Sequence, residues 1–256
     1  MELITIKTPE EIEKMRAAGR LTARARALAG SMIRPGVTTG EIDREVRKFI
    51  RGHGAKPSFL GYGGFPGSIC ASVNEVVIHG IPGSRRLEEG DIVSIDVGAY
   101  LHGFHGDCAA TFPCGKVSAE ARQLMEVTRE SFWKGIAQAK AGNRVRDIGH
   151  AVQQYVESFG YGVVRDFVGH GVGRQMHEPP EVPNYGPGGH GPRLMPGMVI
   201  ALEPMVCAGD WRVKVLEDNW TTVSVDGSLT AHYENTILIT EGEPEILTDP
   251  GEGYEL

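Results

Sequence analysis

Four acids and one imidazole stand in this chain where such groups are costly to bury. Asp96 ends the apolar run Ile92-Val-Ser-Ile-Asp96, and Glu203 ends Val199-Ile-Ala-Leu-Glu203. Asp107 follows Gly103-Phe-His-Gly106, Glu234 leads into Asn235-Thr-Ile-Leu-Ile239, and His170 lies between Gly169 and Gly171. An ionised carboxylate inside an apolar strand is unfavourable unless it is paired or bound to a metal. Four such acids brought together would repel one another, so a shared counter-charge is the economical explanation. Two divalent cations neutralise four carboxylates. Hard oxygen donors with a single imidazole suit Co, Mn, Fe or Zn as divalent ions. A pair of such ions activates water near neutral pH and holds a carbonyl. Asp107 and Glu234 are the expected bridging carboxylates. Asp96 then completes one metal, and His170 with Glu203 completes the other. Any one of these acids alone reads as a solvated turn residue; their recurrence in matched positions carries the argument.

That recurrence is an internal repeat. Thr8-Pro-Glu-Glu-Ile12 reads as a helix N-cap, a proline at the first helical position and acids in the first turn. A helix is expected to about residue 30, broken by Arg34-Pro-Gly36. A second begins at Thr38-Thr-Gly-Glu41, with Ile42, Val46 and Ile50 on one face. A third is expected over roughly 119–140, broken by Lys140-Ala-Gly142, and a fourth carries Ile148, Val152 and Val156. Gly36, Ile42, Val46, Ile50 and Gly54 thus match Gly142, Ile148, Val152, Val156 and Gly160. Gly90-Asp-Ile-Val-Ser-Ile-Asp96 likewise matches Gly197-Met-Val-Ile-Ala-Leu-Glu203. Each half supplies a second acid further on. The pattern predicts an α+β fold with a pseudo-two-fold repeat. One curved antiparallel sheet carries helices on one face and the acids on the other. A turn at Gly103–Gly106 is expected to lead into the strand of Asp107. Nothing reads as a flexible linker, so 1–256 is expected to be a single catalytic domain with halves of about 1–110 and 111–256.

Composition narrows the function class. The 256 residues are 41% hydrophobic and 23% charged, ordinary for a globular protein. A net charge of -7 argues against nucleic acid or an anionic membrane as the main partner. No apolar run approaches the roughly 18 residues of a membrane span. Met1–Glu10 lacks the basic and apolar regions of a secretory signal. Cys70, Cys108, Cys114 and Cys207 form no Cys-x-x-Cys pair and read as reduced thiols of a cytoplasmic protein.

Two further histidines have unusual surroundings. His79 lies in Asn74-Glu-Val-Val-Ile-His-Gly-Ile-Pro82, a strand-then-turn pattern. His177 follows His170 by seven residues, a spacing that does not make a helical zinc pair. His177 therefore reads as a donor to developing negative charge. The glycines flanking His170 read as permitting close backbone approach to an ion or substrate.

These segments, with Gly103-Phe-His-Gly-Asp107, Gly169-His-Gly-Val-Gly-Arg174, His177-Glu-Pro-Pro180, Leu202-Glu-Pro-Met205 and Tyr233-Glu-Asn-Thr236, resemble the type I methionine aminopeptidases over nearly the whole chain. The resemblance implies the fold nicknamed "pita bread" and a dinuclear centre held by Asp96, Asp107, His170, Glu203 and Glu234. It implies that His177 orients the scissile carbonyl, that His79 contacts the amide nitrogen beside the cut, and that Glu203 shuttles the proton. Phe59, Tyr62, Phe65, Cys70 and Trp220 fall near the positions that line its methionine pocket. The implied substrate is the N-terminus of a peptide or nascent chain with a small second residue. The implied enzyme is a cytoplasmic monomer that associates transiently with ribosomes. Met176 stands where many members have an aromatic residue, and Asn235 where many have histidine. Three alternatives belong to other classes. A proline-specific peptidase of the same fold carries a large extra N-terminal domain. A mononuclear iron oxygenase would use His105-Gly-Asp107. A non-catalytic binding protein would lack some of the ligands.

Overall fold

Helices begin where side chains replace missing backbone partners. The computed structural model describes residues 3–251. In it, Thr8 Oγ1 accepts from the Glu11 N–H at 3.3 Å, and Glu11 Oε2 accepts from the Thr8 N–H at 3.0 Å. This reciprocal cap opens helix α1 (Pro9–Met32). Thr38 and Glu41 repeat it at α2 (Thr39–Gly52). In the second half, α3 spans Ala119–Ile136 and α4 spans Val145–Glu157. Helix α3 stops short of the expected residue 140. Gln138 and Ala139 donate to the carbonyls three residues back, at 2.9 Å each, and this tighter turn buries Ala139.

The repeat is present in the backbone. Ile42, Val46 and Ile50 on α2 are fully buried, as are Ile148, Val152 and Val156 on α4. Fully burying each such side chain stabilises by about 1.5–3 kcal/mol. Before each of these helices the chain makes the same turn. Gly36 donates to the Leu87 carbonyl at 2.8 Å, and Gly142 donates to the Leu194 carbonyl at 2.9 Å. Both glycines have φ of 92°, where a Cβ is disfavoured.

Among the described residues the strands form four hydrogen-bonded sheets, and every pairing is antiparallel. The first is built on the long hairpin Ile92–Leu101 and Phe104–Pro113, with Ile69–Val73 and Lys56–Pro57 beside it. Its turn is at His102-Gly103, both with positive φ, so the returning strand begins at Phe104, before the expected Gly106. A five-stranded sheet holds Glu178–Val182, Gly169–Gly171, Val199–Leu202, Asn235–Leu238 and Glu245–Ile246. Two three-stranded sheets contribute Met205–Cys207 with Thr230–His232, and Val76–Ile78 with Thr222–Ser224. Each half has its own apolar cluster. Helices α1 and α2 pack on Ile95 and Val97, while α3 and α4 pack on Ile200, Leu202 and Ile237. The halves are stitched where Ala109 and Glu234 exchange backbone hydrogen bonds of 3.2 and 2.9 Å. Arg26 on α1 is buried against this seam and donates through Nη1 to the carbonyls of Ala109 and Glu234 and to Asn235 Oδ1.

Candidate metal centre

The seam brings the predicted acids together. Asp96 and Asp107 stand on the two arms of the long hairpin, opposite Ala109 and Gly98. Glu203 follows the strand Val199–Leu202, and Glu234 lies between Thr230–His232 and Asn235–Leu238. His170 is the middle residue of Gly169–Gly171. His170 Nε2 is 3.6 Å from Asp107 Oδ2 and 3.5 Å from Glu203 Oε1. Its Nδ1 lies 2.9 Å from the Gly171 carbonyl. Donation from Nδ1 leaves the Nε2 lone pair facing the acids.

The residues fit a bound cation. Donor atoms of Asp107, His170 and Glu234 lie within 4.8 Å of one another, and so do those of Glu203, His232 and Glu234. Asp96 is outside both groups but borders the same cavity. Buried oxygens of Asp96, Asp107 and Glu234 have no hydrogen-bond partner, a costly state unless a cation serves them. Without an ion, burial pushes Asp96 up to about 7 and Glu203 up to about 8. Asp107 and Glu234 are also held well above the usual carboxylate range, by burial first and by the neighbouring acids second. Burial pushes His170 down to about 3, so its imidazole is neutral at pH 7 and free to act as a ligand.

The flanking glycines serve a different purpose from the expected approach to an ion. A Cβ at Gly169 would stand 2.3 Å from the Ala201 carbonyl oxygen, and one at Gly171 would stand 2.4 Å from that of Pro179. The close approach is to adjoining strand backbone, which sets the depth of His170.

A cavity of about 350 Å³ opens onto the acids. It is lined by all the predicted site residues: Asp96, Asp107, His170, Glu203, Glu234, His79, His177, Phe59, Tyr62, Phe65, Cys70 and Trp220. Phe59, Phe65, Cys70 and Met176 form one buried apolar cluster with Trp220 packed against it, so Met176 supports the wall. Asn235 points away and accepts from Arg26 and Thr248. The His177 ring centroid is 4.1 Å from that of His170, and Tyr62 Oη lies 2.7 Å from His177 Nδ1. His79 has φ of 58°, uncommon for a residue with a side chain. Its ring meets Phe167 and Trp220 edge-on at 5.6 and 6.1 Å. Burial, then His232 and His177, holds His79 down to about 4. His105 is not part of this arrangement: its Nδ1 lies 2.8 Å from Ser58 Oγ, and its ring packs on Tyr100.

Phe167 and His232 were not singled out from the sequence. Phe167 carries no local signal of its role. His232 does, since it lies two residues before Glu234, the spacing that puts strand side chains on one face.

The model of metallopeptidase family M24 matches residues 13–241, and this chain belongs to that family. A protein named methionine aminopeptidase from Clostridium acetobutylicum is 56% identical over 247 residues, covering 96% of this chain and 99% of the relative. The solved structure of methionine aminopeptidase from Thermotoga maritima gives a TM-score of 0.95 at 50% identity, covering 96% of this chain and 100% of that one. A prolidase from Pyrococcus furiosus gives 0.76 at 27% identity; the match covers 96% of this chain and 66% of the prolidase. The α+β pita-bread architecture implied by the resemblance is the fold of this chain.

Proposed function

We propose that this chain is a methionine aminopeptidase that removes the initiator methionine from peptides and nascent chains with a small second residue. The observation that carries the reading is a cluster of buried, unpartnered carboxylate oxygens in a cavity that is acidic where these groups lie and apolar where Phe59, Phe65, Cys70 and Trp220 line it. Asp96, Asp107, His170, Glu203 and Glu234 hold two divalent ions, drawn from Co, Mn, Fe or Zn. When bound, the ions supply a water nucleophile at neutral pH and polarise the substrate carbonyl.

The protein groups do the rest. The acidic end receives the free α-amino group, which gives amino-end specificity. Phe59, Phe65, Cys70 and Trp220 enclose an unbranched thioether side chain. Tyr62 donates to His177 Nδ1, which keeps the proton on Nε2 for the developing oxyanion. Burial keeps His177 neutral, so it donates without carrying charge. His79 lines the same cavity beside Trp220 and contacts the amide nitrogen. Glu203, buried at the metal centre, takes a proton from the water nucleophile and returns it to the leaving amine.

The chain works as a single catalytic domain, as a monomer in the cytoplasm with transient ribosome contact. All four cysteines are unpaired and buried, which supports a reducing compartment. Among the described residues no helix is long and apolar enough to cross a membrane.

The test is hydrolysis of Met-Ala-Ser and of an X-Pro peptide after chelation, with each of the four metals restored in turn. Release of methionine from Met-Ala-Ser is expected. Cleavage of the X-Pro peptide alone would instead identify a proline-specific peptidase.

A further inference from the structure

We infer that a second cavity, walled by α1, α3 and the strand Phe104–Pro113, binds a small organic carboxylate on the buried guanidinium of Arg26. This cavity measures about 290 Å³. It shares no lining residue with the cavity at the metal centre, so the inference stands apart from the peptidase reading. Arg26 lines it and is 1% exposed.

Arg26 is a buried cation whose hydrogen-bond acceptors are all neutral. Its Nη1 donates to the carbonyls of Ala109 and Glu234 and to the Asn235 amide oxygen. Its Nε and Nη2 are buried without a hydrogen-bond partner. These two nitrogens form one edge of the planar guanidinium, and a carboxylate matches that edge with two parallel hydrogen bonds. A buried charge with one whole edge unpaired is costly, and an anion in the adjoining cavity removes the cost.

The rest of the lining selects the ligand. Arg122 and Arg129 on α3 are exposed and also border the cavity. In a chain of net charge -7 this makes a locally cationic wall, which attracts anions. Glu126 lies between them on the same helix and disfavours a multiply charged ligand. Ala27, Phe112, Pro113, Met125 and Tyr233 give the wall an apolar portion that a bare inorganic anion leaves unused. The volume is at the small end for ligand cavities, which suits a carboxylate on a chain of a few carbons. Because Nη1 holds the Glu234 carbonyl, the bound anion would steady the same guanidinium that clamps the seam.

The zinc-loaded full chain, labelled with ¹³C and ¹⁵N, is titrated with hexanoate, hexanol and inorganic sulfate. The Arg26 Nε–H resonance, assigned through its side-chain carbons, is followed throughout. A saturable shift with hexanoate is expected, with hexanol and sulfate each about tenfold weaker or more. Ala27→Leu narrows the cavity while keeping the arginine, and is expected to abolish the shift. Arg122→Glu is expected to weaken binding severalfold. No saturable shift with any of the three would overturn the inference and leave water as the partner of this edge. Sulfate binding as tightly as hexanoate would overturn the organic class. A hexanoate shift unchanged in Ala27→Leu would place the ligand elsewhere and overturn the site. The wild-type titration decides the first two outcomes even if a variant does not fold.

Discussion

Thr236 holds Asp107 across the seam between the two halves. The Asp107 N–H donates to Thr236 Oγ1 at 3.0 Å, and the Thr236 hydroxyl donates to the Asp107 carbonyl at 2.8 Å. The residues are far apart in sequence, and both hydrogen bonds are buried. A carboxylate from the first half is thereby locked to the strand that follows Glu234.

Removing this lock is expected to loosen the centre. Thr236→Val keeps the shape but leaves the Asp107 N–H unsatisfied, which costs about 1–3 kcal/mol. Thr236→Ser keeps the hydroxyl and is expected to recover most of it. Urea unfolding midpoints of the metal-loaded proteins check this; equal midpoints for Val and Ser would show that the hydroxyl contributes nothing.

Asp107→Asn and Glu234→Gln are expected to abolish turnover and to lower the metal content per chain. In chelated protein at pH 8 the same changes are expected to raise the melting temperature, because each replaces an acid whose ionisation is opposed by burial in the fold but free in the unfolded chain. Metal analysis and thermal melts with and without chelator read the two effects. Full turnover in either variant would contradict a bridging role.

The metal-free protein is expected to lose stability as pH rises from about 6.5 to 8. Asp96 and Glu203 have folded affinities for protons above their unfolded ones, so the folded state binds more protons than the unfolded state. Their stabilising contribution is full in acid and disappears as pH passes through about 7 and about 8. The depressed histidines His79, His105, His170, His177 and His232 act in the opposite sense, mainly below and around the unfolded histidine value of about 6.5. Above it their contribution fades and the acids dominate the slope. Metal loading is expected to remove the decline, and melts in EDTA and in Mn(II) across this range compare the two.

His177→Ala is expected to lower kcat by about a hundredfold or more while leaving the metal bound, since one oxyanion donor is lost. Tyr62→Phe removes only the 2.7 Å contact to His177 Nδ1 and is expected to cost severalfold. Loss of metal in His177→Ala, measured by elemental analysis, would make His177 a ligand instead.

Much of the centre was legible because its signals are local. The reciprocal caps at Thr8 and Thr38, the rows Ile42–Val46–Ile50 and Ile148–Val152–Val156, and the matched glycine–apolar–acid runs follow from backbone dihedrals and side-chain period. The end of α3 was not legible, because the tight turn after Ile136 depends on what Ala139 packs against. The purpose of Gly169 and Gly171 was also hidden, since the atoms they make room for belong to Ala201 and Pro179.

The amino-acid order alone determined a duplicated α+β chain with an acid closing each matched glycine–apolar run, and with it the family and its chemistry. Tertiary structure decided which side chains share the centre. The Ala109–Glu234 pairing brings two hairpins together, and only this brings His232 beside Glu203 and turns Asn235 away towards Arg26. The reason is physical: a strand's period says which residues share a face, but the register between distant strands says what that face meets.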